Sequence, residues 1–316
     1  MSAEQPPGPL GRALGPVAQG ELRLEEPLGR HSQFGVGGPA RWYWEPARAE
    51  RVPEVLRACR ELGIPWLVLG AGSNCLISDL GFPGLVLKFA PARARHLGEG
   101  RVLLEAGAML PRAAFDTAYL GLLDLDFGVG IPGTAGAAAW GNAGAFGGEL
   151  GRVIQEVEVA GPDGSVRRLG LGELAPSYRR TALQEEGWRG AVVTRVWVQL
   201  RPGDPKEARQ RVRAVMAERK ATQPSGVRSL GSTFKNPEGA FAGQLLEACG
   251  LKGLRQGQAQ VSQDHANFIV NLGEARADDV LALAAAMRQR VQERFGVQLE
   301  LEIIPVGGPD PLPRSS

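Results

Sequence analysis

The last third of the chain holds a loop that combines three kinds of side chain able to take part in chemistry. The segment GSTFKNP, residues 231–237, carries the hydroxyl of Ser232, the ammonium group of Lys235 and the amide of Asn236. Such groups can donate protons or hydrogen bonds to a ligand. A serine without a neighbouring base, however, is more often a turn or helix-capping residue. The loop alone leaves a catalytic and a structural interpretation open.

Two groups of charged side chains are further candidates. In the segment SYRRT, Tyr178 precedes the adjacent cations Arg179 and Arg180, which form either a binding site or a solvated surface pair. Glu300 and Glu302 are two residues apart in an alternating segment, so they share one face of a predicted strand. That face is either part of a site or simply an exposed polar surface.

His265 and Asn267 form a possible catalytic pair within SQDHANFIVN. One histidine with no second histidine or cysteine nearby is weak evidence for metal binding, and no metal site is predicted. The three cysteines, Cys59, Cys75 and Cys249, are widely spaced and odd in number. They indicate neither a disulfide framework nor a zinc site, and they fit a reducing cytosol.

A long uncharged segment, FGVGIPGTAGAAAWGNAGAFGG at residues 127–148, contains eight of the chain's 44 glycines. Glycine lets another group lie directly against the main chain, so backbone rather than side chains is the predicted working surface here. A membrane span fits the length, but Pro132, Asn142 and this much glycine make a poor lipid-facing helix. An ordinary packed glycine and alanine unit is the stronger alternative.

A second glycine loop, GAGSN at residues 70–74, follows the short apolar strand predicted at 66–69. A strand that leads into a small-residue loop can present successive backbone N–H groups to phosphate. The loop lacks the register of a Rossmann fingerprint, and such a loop taken alone is usually a tight turn. A diphosphate with an attached flat ring would use both this loop and residues 130–136.

Hydrophobic periodicity predicts the elements that must position these residues. The predicted strands cover 66–69, 85–88, 102–105, 153–159, 166–169, 191–200, 268–271 and 298–304. The predicted helices cover 53–62, 111 to about 121, a stripe from 208 to 216, 241–249 and 278–295. Gly161-Pro162-Asp163-Gly164 is the predicted turn of a hairpin.

The composition is typical of a globular protein of two or three domains, with 316 residues of which 43% are hydrophobic and 22% charged. A net charge of +2 argues against nucleic acid as the main partner. The first thirty residues contain no apolar core of signal-peptide length. We predict a flexible leader at residues 1–24, a domain boundary near residue 205 and a flexible tail at 307–316.

The motifs together resemble a known family. The chain is similar over about residues 25–307 to UDP-N-acetylenolpyruvoylglucosamine reductases (MurB) in their shorter, type II form. The segments that carry the resemblance, in family order, are GAGSN, GIPGTAGAAAWGNAGAFGG, SYRRT, GSTFKNP, GLKG, QVSQDHANFIVN and FGVQLELEIIPVG. The chain departs from the family at HSQF, residues 31–34, where threonines are usual, and at Ala137 and Trp140, where glycine and methionine are commoner.

The resemblance implies a mixed α/β fold of the FAD-binding PCMH (vanillyl-alcohol-oxidase) type. Two α/β subdomains, at residues 25–90 and 91–204, would hold the flavin. A C-terminal α/β domain at 205–306 would bind the UDP-sugar.

The resemblance also implies an activity, that of a UDP-N-acetylmuramate dehydrogenase in peptidoglycan precursor synthesis. NADPH would reduce non-covalently bound FAD, which passes a hydride to the methylene carbon of the enolpyruvyl ether. By motif match, Arg179 would stabilise the developing negative charge, Ser232 would protonate the adjacent carbon, and Glu302 would hydrogen-bond the enolate or orient its neighbours.

The same match assigns binding residues. Tyr178, Lys235 and Asn236 would bind the substrate. The residues expected to bind FAD are Gly70, Ala71, Gly72, Ser73, Asn74, Gly130, Ile131, Pro132, Gly133, Thr134, Gly136, Asn142 and Ala143.

The expected partners are therefore UDP-N-acetylglucosamine enolpyruvate and NADPH, with no nucleic acid and no membrane. We expect a cytoplasmic monomer. Two other functions stay open. One is a flavin oxidase of the same fold, which would use molecular oxygen, and the other is a UDP-sugar binder without catalytic activity.

Overall fold

The computed structural model describes residues 8–14, 22–46, 48–90 and 92–307. The chain divides into two compact units. The first unit comprises Met1–Leu24, Trp42–Ala71 and Gly84–Arg219, and the second comprises Glu25–Arg41, Gly72–Pro83 and Lys220–Ser316. The division into three folded domains stays a prediction.

The described residues form helices and strands throughout both units. The helices are α1 Gly8–Leu14, α2 Val52–Glu61, α3 Leu110–Tyr119, α4 Ala135–Trp140, α5 Leu171–Leu174, α6 Pro205–Thr222, α7 Ala242–Ala248 and α8 Ala277–Phe295. The strands are β1 Leu22–Pro27, β2 Pro39–Trp44, β3 Trp66–Val68, β4 Cys75–Ile77, β5 Phe82–Leu87, β6 Arg95–Gly98, β7 Arg101–Glu105, β8 Leu122–Leu123, β9 Gly144–Ala145, β10 Gly148–Glu149, β11 Ile154–Ala160, β12 Val166–Gly170, β13 Val192–Gln199, β14 Arg201–Pro202, β15 Arg228–Ser232, β16 Arg255–Gln256, β17 Ala259–Val261, β18 Phe268–Asn271 and β19 Ile304–Val306.

A five-stranded antiparallel sheet, in the order β12-β11-β13-β7-β6, is the largest sheet of the first unit. Its strands are rich in valine, and alternate residues such as Val157 and Val196 face a buried core. The predicted hairpin is confirmed, because β11 and β12 pair with Ala160 opposite Val166. The small residues of α3 and α4 pack into the same core.

The predicted leader contains structure that the sequence did not indicate. Residues Gly8–Leu14 form α1, and Leu10 is completely buried in a cluster that includes Trp42 and Trp44 of the same unit. The prediction of a flexible leader is therefore wrong for these residues, and also for residues 22–24, which lie in β1. Gly8, Pro9 and Gly11, which suggested an unfolded segment, lie within a helix of only 7 residues, and the burial of Leu10 stabilises that helix. The rest of the leader before Leu22, and the tail beyond residue 307, lie outside the described residues.

A four-stranded antiparallel sheet, in the order β15-β18-β17-β16, lies in the second unit, which also contains α7 and α8. The predicted strand at 268–271 is confirmed as β18, and the predicted helix at 278–295 is confirmed as α8. One face of α8 is buried, as its periodicity indicated. The carboxylate of Asp279 accepts the N–H of Arg276 at the start of α8, and Gly296 ends it with a φ of 69°.

The prediction of a strand over residues 298–304 is wrong. Only Ile304–Val306 is a strand, and it pairs in parallel with β4. Burial still alternates from Leu299 to Ile303, but the backbone of Glu300 and Glu302 bonds to residues 233–235 and not to a regular ladder. Among the described residues, no helix is both long and apolar enough to cross a bilayer.

Candidate active site

The loop at 70–74 follows β3 and keeps its backbone donors unused. None of its five N–H groups donates a hydrogen bond to a described residue. Gly72 has a φ of +65°, and a Cβ there would lie 2.0 Å from the carbonyl oxygen of His31. Only glycine fits this position. Successive unused N–H groups in such a bend can donate hydrogen bonds to an anion, so the loop fits the diphosphate of a dinucleotide.

The second glycine stretch uses its backbone differently. The N–H groups of Ile131, Gly133, Ala135 and Gly136 donate to carbonyl oxygens within the first unit, over 2.7 to 3.1 Å. A Cβ on Gly136 would lie 2.8 Å from that of Ala106, so this glycine allows two segments to pack closely. Much of the stretch is thus a packed glycine and alanine unit, as the alternative interpretation expected.

The two glycine segments nevertheless meet inside the first unit. The Thr134 hydroxyl oxygen lies 3.0 Å from the position that a Cβ would take on Gly70. Residues from both segments therefore share one surface there, and Thr134 offers that surface a side-chain donor. Their assignment to flavin binding stays a prediction.

Asn142 links the glycine stretch to the segment that carries Arg179. Its side chain is 1% exposed, accepts the N–H of Gly151 at 2.8 Å and donates to the carbonyl of Ser177 at 2.8 Å. Its φ of 42° is unusual for a residue other than glycine, although asparagine tolerates it better than most. The amide that the sequence assigned to FAD binding thus makes two hydrogen bonds to the protein's own backbone.

Arg179 occupies a tight turn between Ser177 and Arg180. These two residues exchange backbone hydrogen bonds of 2.9 and 3.1 Å, and Arg179 between them has a φ of 55°. A left-handed backbone conformation costs a residue with a long side chain about 1–3 kcal/mol, and it persists only where the surrounding structure enforces it. The side chain of Gln184 donates to the carbonyl of Arg179 at 3.3 Å. The Arg179 guanidinium carbon lies 5.1 Å from the centroid of the Tyr178 ring, so the two predicted site residues are in contact.

In the second unit, Ser232 ends β15 with its hydroxyl unused. Within the described part of the chain, no residue exchanges a hydrogen bond with this hydroxyl. The following residue, Thr233, accepts the backbone N–H of Glu302 at 2.8 Å. The carbonyl of Glu302 accepts a hydrogen bond of 3.0 Å from the side chain of Asn74. Ser232 and Glu302, which are far apart in sequence, therefore lie on adjoining segments.

The two predicted substrate residues of this loop also contact the protein. Lys235 forms an ion pair with the exposed carboxylate of Glu300. The side-chain oxygen of Asn236 accepts the N–H of Ala242 at 3.0 Å and so caps the start of α7. Both side chains hold the loop in shape, and their role toward a substrate stays a prediction.

His265 and Asn267 do not form an acid–base pair. The Nδ1 atom of His265 accepts the backbone N–H of Asn267 at 3.1 Å, and the amide of Asn267 turns to the Ser232 loop. Burial, with Lys252 nearby, lowers the pKa of His265 and favours a neutral ring. The sequence pattern indicated these two residues but not the bond from Asn267 to Phe234, because that bond joins segments far apart in the chain.

The Cys59 thiol is not available for chemistry. Cys59 is fully buried, and burial raises its pKa to about 12, so this thiol stays protonated and unreactive.

Two family models match successive parts of the chain. A family model described as an FAD binding domain matches residues 40–170, and one described as the C-terminal domain of UDP-N-acetylenolpyruvoylglucosamine reductase matches residues 223–306. The UDP-N-acetylenolpyruvoylglucosamine reductase 2 of Symbiobacterium thermophilum is 44% identical over 90% of this chain and 92% of its own length. The reductase of Rubrobacter xylanophilus is 44% identical over 91% of this chain and 96% of its own length.

A solved structure gives the same result. The crystal structure of the UDP-N-acetylenolpyruvylglucosamine reductase from Thermus caldophilus is 38% identical, has a TM-score of 0.75, and is matched over 90% of this chain and 98% of that one. The predicted FAD-binding fold with a reductase-type C-terminal domain is therefore confirmed. The chain belongs to the UDP-N-acetylenolpyruvoylglucosamine reductase family.

Proposed function

We propose that this protein reduces UDP-N-acetylglucosamine enolpyruvate to UDP-N-acetylmuramate with NADPH, and that Arg179, Ser232 and Glu302 carry the reaction. The activity and the FAD cofactor follow from family membership. The observation that best supports the residue roles is the joining of Ser232 to Glu302 through Thr233, with the serine hydroxyl left available.

Bound FAD would supply hydride transfer from NADPH to the methylene carbon of the enolpyruvyl group. The carbon–carbon double bond then places an electron pair on the neighbouring carbon, next to the carboxylate. Ser232 donates its hydroxyl proton to that carbon, which completes the saturated lactyl ether. A hydroxyl suits this step because the carbanion is strongly basic.

Arg179 stabilises the charge that develops on the carboxylate during this step. A guanidinium stays protonated and can bind a carboxylate through two parallel hydrogen bonds. Its backbone is held in an unfavourable conformation by the turn at 177–180. Such preorganisation stabilises the transition state more than the ground state, which is the condition for catalysis.

Glu302 hydrogen-bonds the developing enolate or orients the groups that do so. Its backbone is fixed on one side by Thr233 and on the other by Asn74. The side chain therefore projects from a segment that cannot shift without also moving the Ser232 loop.

The backbone N–H groups at 70–74 bind the diphosphate of FAD. A hydrogen bond to a charged oxygen contributes about 1.5–3 kcal/mol, so three or four of them hold a dinucleotide without a lysine. Of the remaining predicted cofactor residues, Thr134 contributes its hydroxyl next to Gly70. The others, Gly130, Ile131, Pro132, Gly133, Gly136, Asn142 and Ala143, shape the segment that carries this hydroxyl. Tyr178 binds the substrate, Lys235 and Asn236 bind its diphosphate and uridine side, and the protein acts as a cytoplasmic monomer.

Stopped-flow absorbance of the Ser232→Ala variant tests this proposal. Flavin bleaching by NADPH should stay as in the unchanged protein, while reoxidation by the enolpyruvyl substrate should fall by roughly 10²–10⁴-fold, the usual contribution of a general acid. An equal loss in both half reactions contradicts the role of Ser232. Rapid reoxidation by oxygen without the substrate would instead indicate an oxidase.

A further inference from the structure

The side-chain amide of Asn267 forms hydrogen bonds with the backbone of Phe234, two residues after Ser232. Asn267 is 3% exposed, and its Nδ2 atom donates to the carbonyl of Phe234 at 2.8 Å while its Oδ1 atom accepts the N–H of Phe234 at 3.0 Å. Its backbone carbonyl accepts the N–H of Thr233 at 2.7 Å. One residue thus makes three hydrogen bonds to two consecutive residues, both of which are buried.

These bonds extend the pairing of two strands beyond its last backbone pair. The register between β15 and β18 shifts between Ser229 and Ser232, and the pairing resumes with Ser232 opposite Phe268, where β15 ends. A primary amide has a donor and an acceptor side by side, as a peptide group has. Asn267 therefore continues the ladder past its last backbone pair with its side chain.

The same backbone segment also sets the position of Glu302. The N–H of Glu302 donates to the carbonyl of Thr233 at 2.8 Å, so Thr233 is held by Asn267 on one side and holds Glu302 on the other. A shift of residues 233–234 would displace Ser232 and Glu302 together.

His265 fixes Asn267 in turn. Its Nδ1 atom accepts the Asn267 N–H, and its ring packs edge-on against Phe268 with 4.9 Å between ring centroids. A Cβ on Gly243 would lie 2.8 Å from Cε1 of the ring, so this glycine leaves room for the imidazole. The ring is enclosed on two sides and accepts the hydrogen bond in a single orientation.

We propose that Asn267, oriented by His265, is a positioning residue that holds the Ser232 hydroxyl and Glu302 in register for proton transfer. This inference rests on the proposed function. A displacement of about 1 Å in a reacting group can cost on the order of 10²-fold in rate. We call the three hydrogen bonds between Asn267 and residues 233–234 the Asn267 clamp. Losing this clamp should slow the proton transfer from Ser232 and leave the reduction of the flavin by NADPH unchanged.

Asn267→Asp is the sharpest test, because it keeps the shape and the acceptor but replaces the donor to Phe234 with an oxygen. Asn271→Ala is the matched control. Asn271 lies on the same strand, is 9% exposed, and bonds to Phe34, Gly273 and Ala275 but to nothing in the loop at 232–236. Its loss destabilises the same unit without touching the clamp.

Four measurements on the FAD-loaded protein separate positioning from general stability. Bleaching by NADPH should be unchanged in Asn267→Asp, reoxidation by the enolpyruvyl substrate should fall by about 10²-fold, and the solvent deuterium isotope effect on reoxidation should rise because proton transfer limits the rate. Peptides covering 231–237 should exchange amide hydrogen faster. Asn271→Ala should leave all four as in the unchanged protein.

Normal reoxidation in Asn267→Asp, or an equal loss in Asn271→Ala, overturns the inference. If Ser232→Ala reoxidises normally, the proposed function itself fails. If Ser232→Ala is slow and Asn267→Asp is not, only the positioning role fails. Should Asn267→Asp not fold, His265→Phe tests the same clamp, since it keeps a ring but removes the acceptor. It should show a smaller loss in reoxidation alone, and unchanged reoxidation there would equally overturn the inference.

Discussion

The two glycine segments of the first two thirds of the chain have similar composition and opposite hydrogen bonding. At 70–74 the five backbone N–H groups donate to no described residue. At 131–136 four N–H groups are paired with carbonyls of the protein. Glycine content alone therefore does not distinguish a segment that offers its backbone to a ligand from one that packs against its own fold.

Steric demand does not distinguish them either. Gly72 faces the His31 carbonyl and Gly136 faces Ala106, and in each case a Cβ would come too close. The two segments differ in whether carbonyl groups of the protein accept hydrogen bonds from their backbone N–H groups. Residues 135 and 136 donate to the carbonyls of Ala108 and Ala106, whereas the N–H groups of the loop at 70–74 find no acceptor among the residues that the structure describes. Four substitutions, from the largest expected effect to the smallest, test this contrast.

Gly72→Ala should have the largest effect. Alanine would need a left-handed backbone and would clash with the His31 carbonyl, so we expect a loss of about 3 kcal/mol or more in unfolding free energy and a protein that purifies without flavin absorbance. Thermal unfolding and the visible spectrum measure both. A variant with unchanged flavin content would show that this loop does not bind the cofactor.

Gly136→Ala should destabilise the fold but keep the flavin. The added methyl group would press on Ala106, which costs about 1–3 kcal/mol, from which the better helix propensity of alanine subtracts about 1 kcal/mol. The expected result is a lower melting temperature with full flavin absorbance at lower temperature. Loss of flavin from the folded variant would mean that this segment also faces the ligand.

Thr134→Val should have a smaller effect, on cofactor affinity alone. The substitution keeps the shape and removes the hydroxyl next to Gly70, so the loss should be about 0.5–1 kcal/mol in FAD binding, the usual net value of one hydrogen bond. Fluorescence titration of the apoprotein with FAD measures it. An unchanged dissociation constant would exclude this hydroxyl as a ligand group.

Gly133→Ala should be nearly silent. A Cβ there would meet only the Ile131 side chain at 3.7 Å, and the Gly133 N–H already donates to the Ile131 carbonyl. Because the added methyl group meets no other atom closely, the free energy of unfolding should change by no more than about 0.5 kcal/mol. Melting temperature and FAD titration should both match the unchanged protein. A marked loss of FAD affinity would show that cofactor atoms touch Gly133 and would weaken the contrast between the segments.

Much of the fold followed from local patterns. The helix at Ala277–Phe295 and the strand at Phe268–Asn271 were predicted almost to the residue, because a long amphipathic stripe and a short apolar run are local signals. The helix at Gly8–Leu14 was missed, since seven residues give no readable period and its stability comes from Leu10 in a distant core. The strand at 298–304 failed for the reverse reason, because alternation is present but its backbone bonds to a loop.

The sequence by itself determined the family, the order of the motifs and the residue types that the chemistry needs, because these depend on identity and spacing along the chain. Only the tertiary structure decided which backbone N–H groups remain unused, that Asn142 bonds to the segment carrying Arg179, and that Asn267 grips the loop after Ser232. The physical reason is that hydrogen bonding and burial depend on partners distant in sequence, such as residues 106 and 108 for the stretch at 135–136.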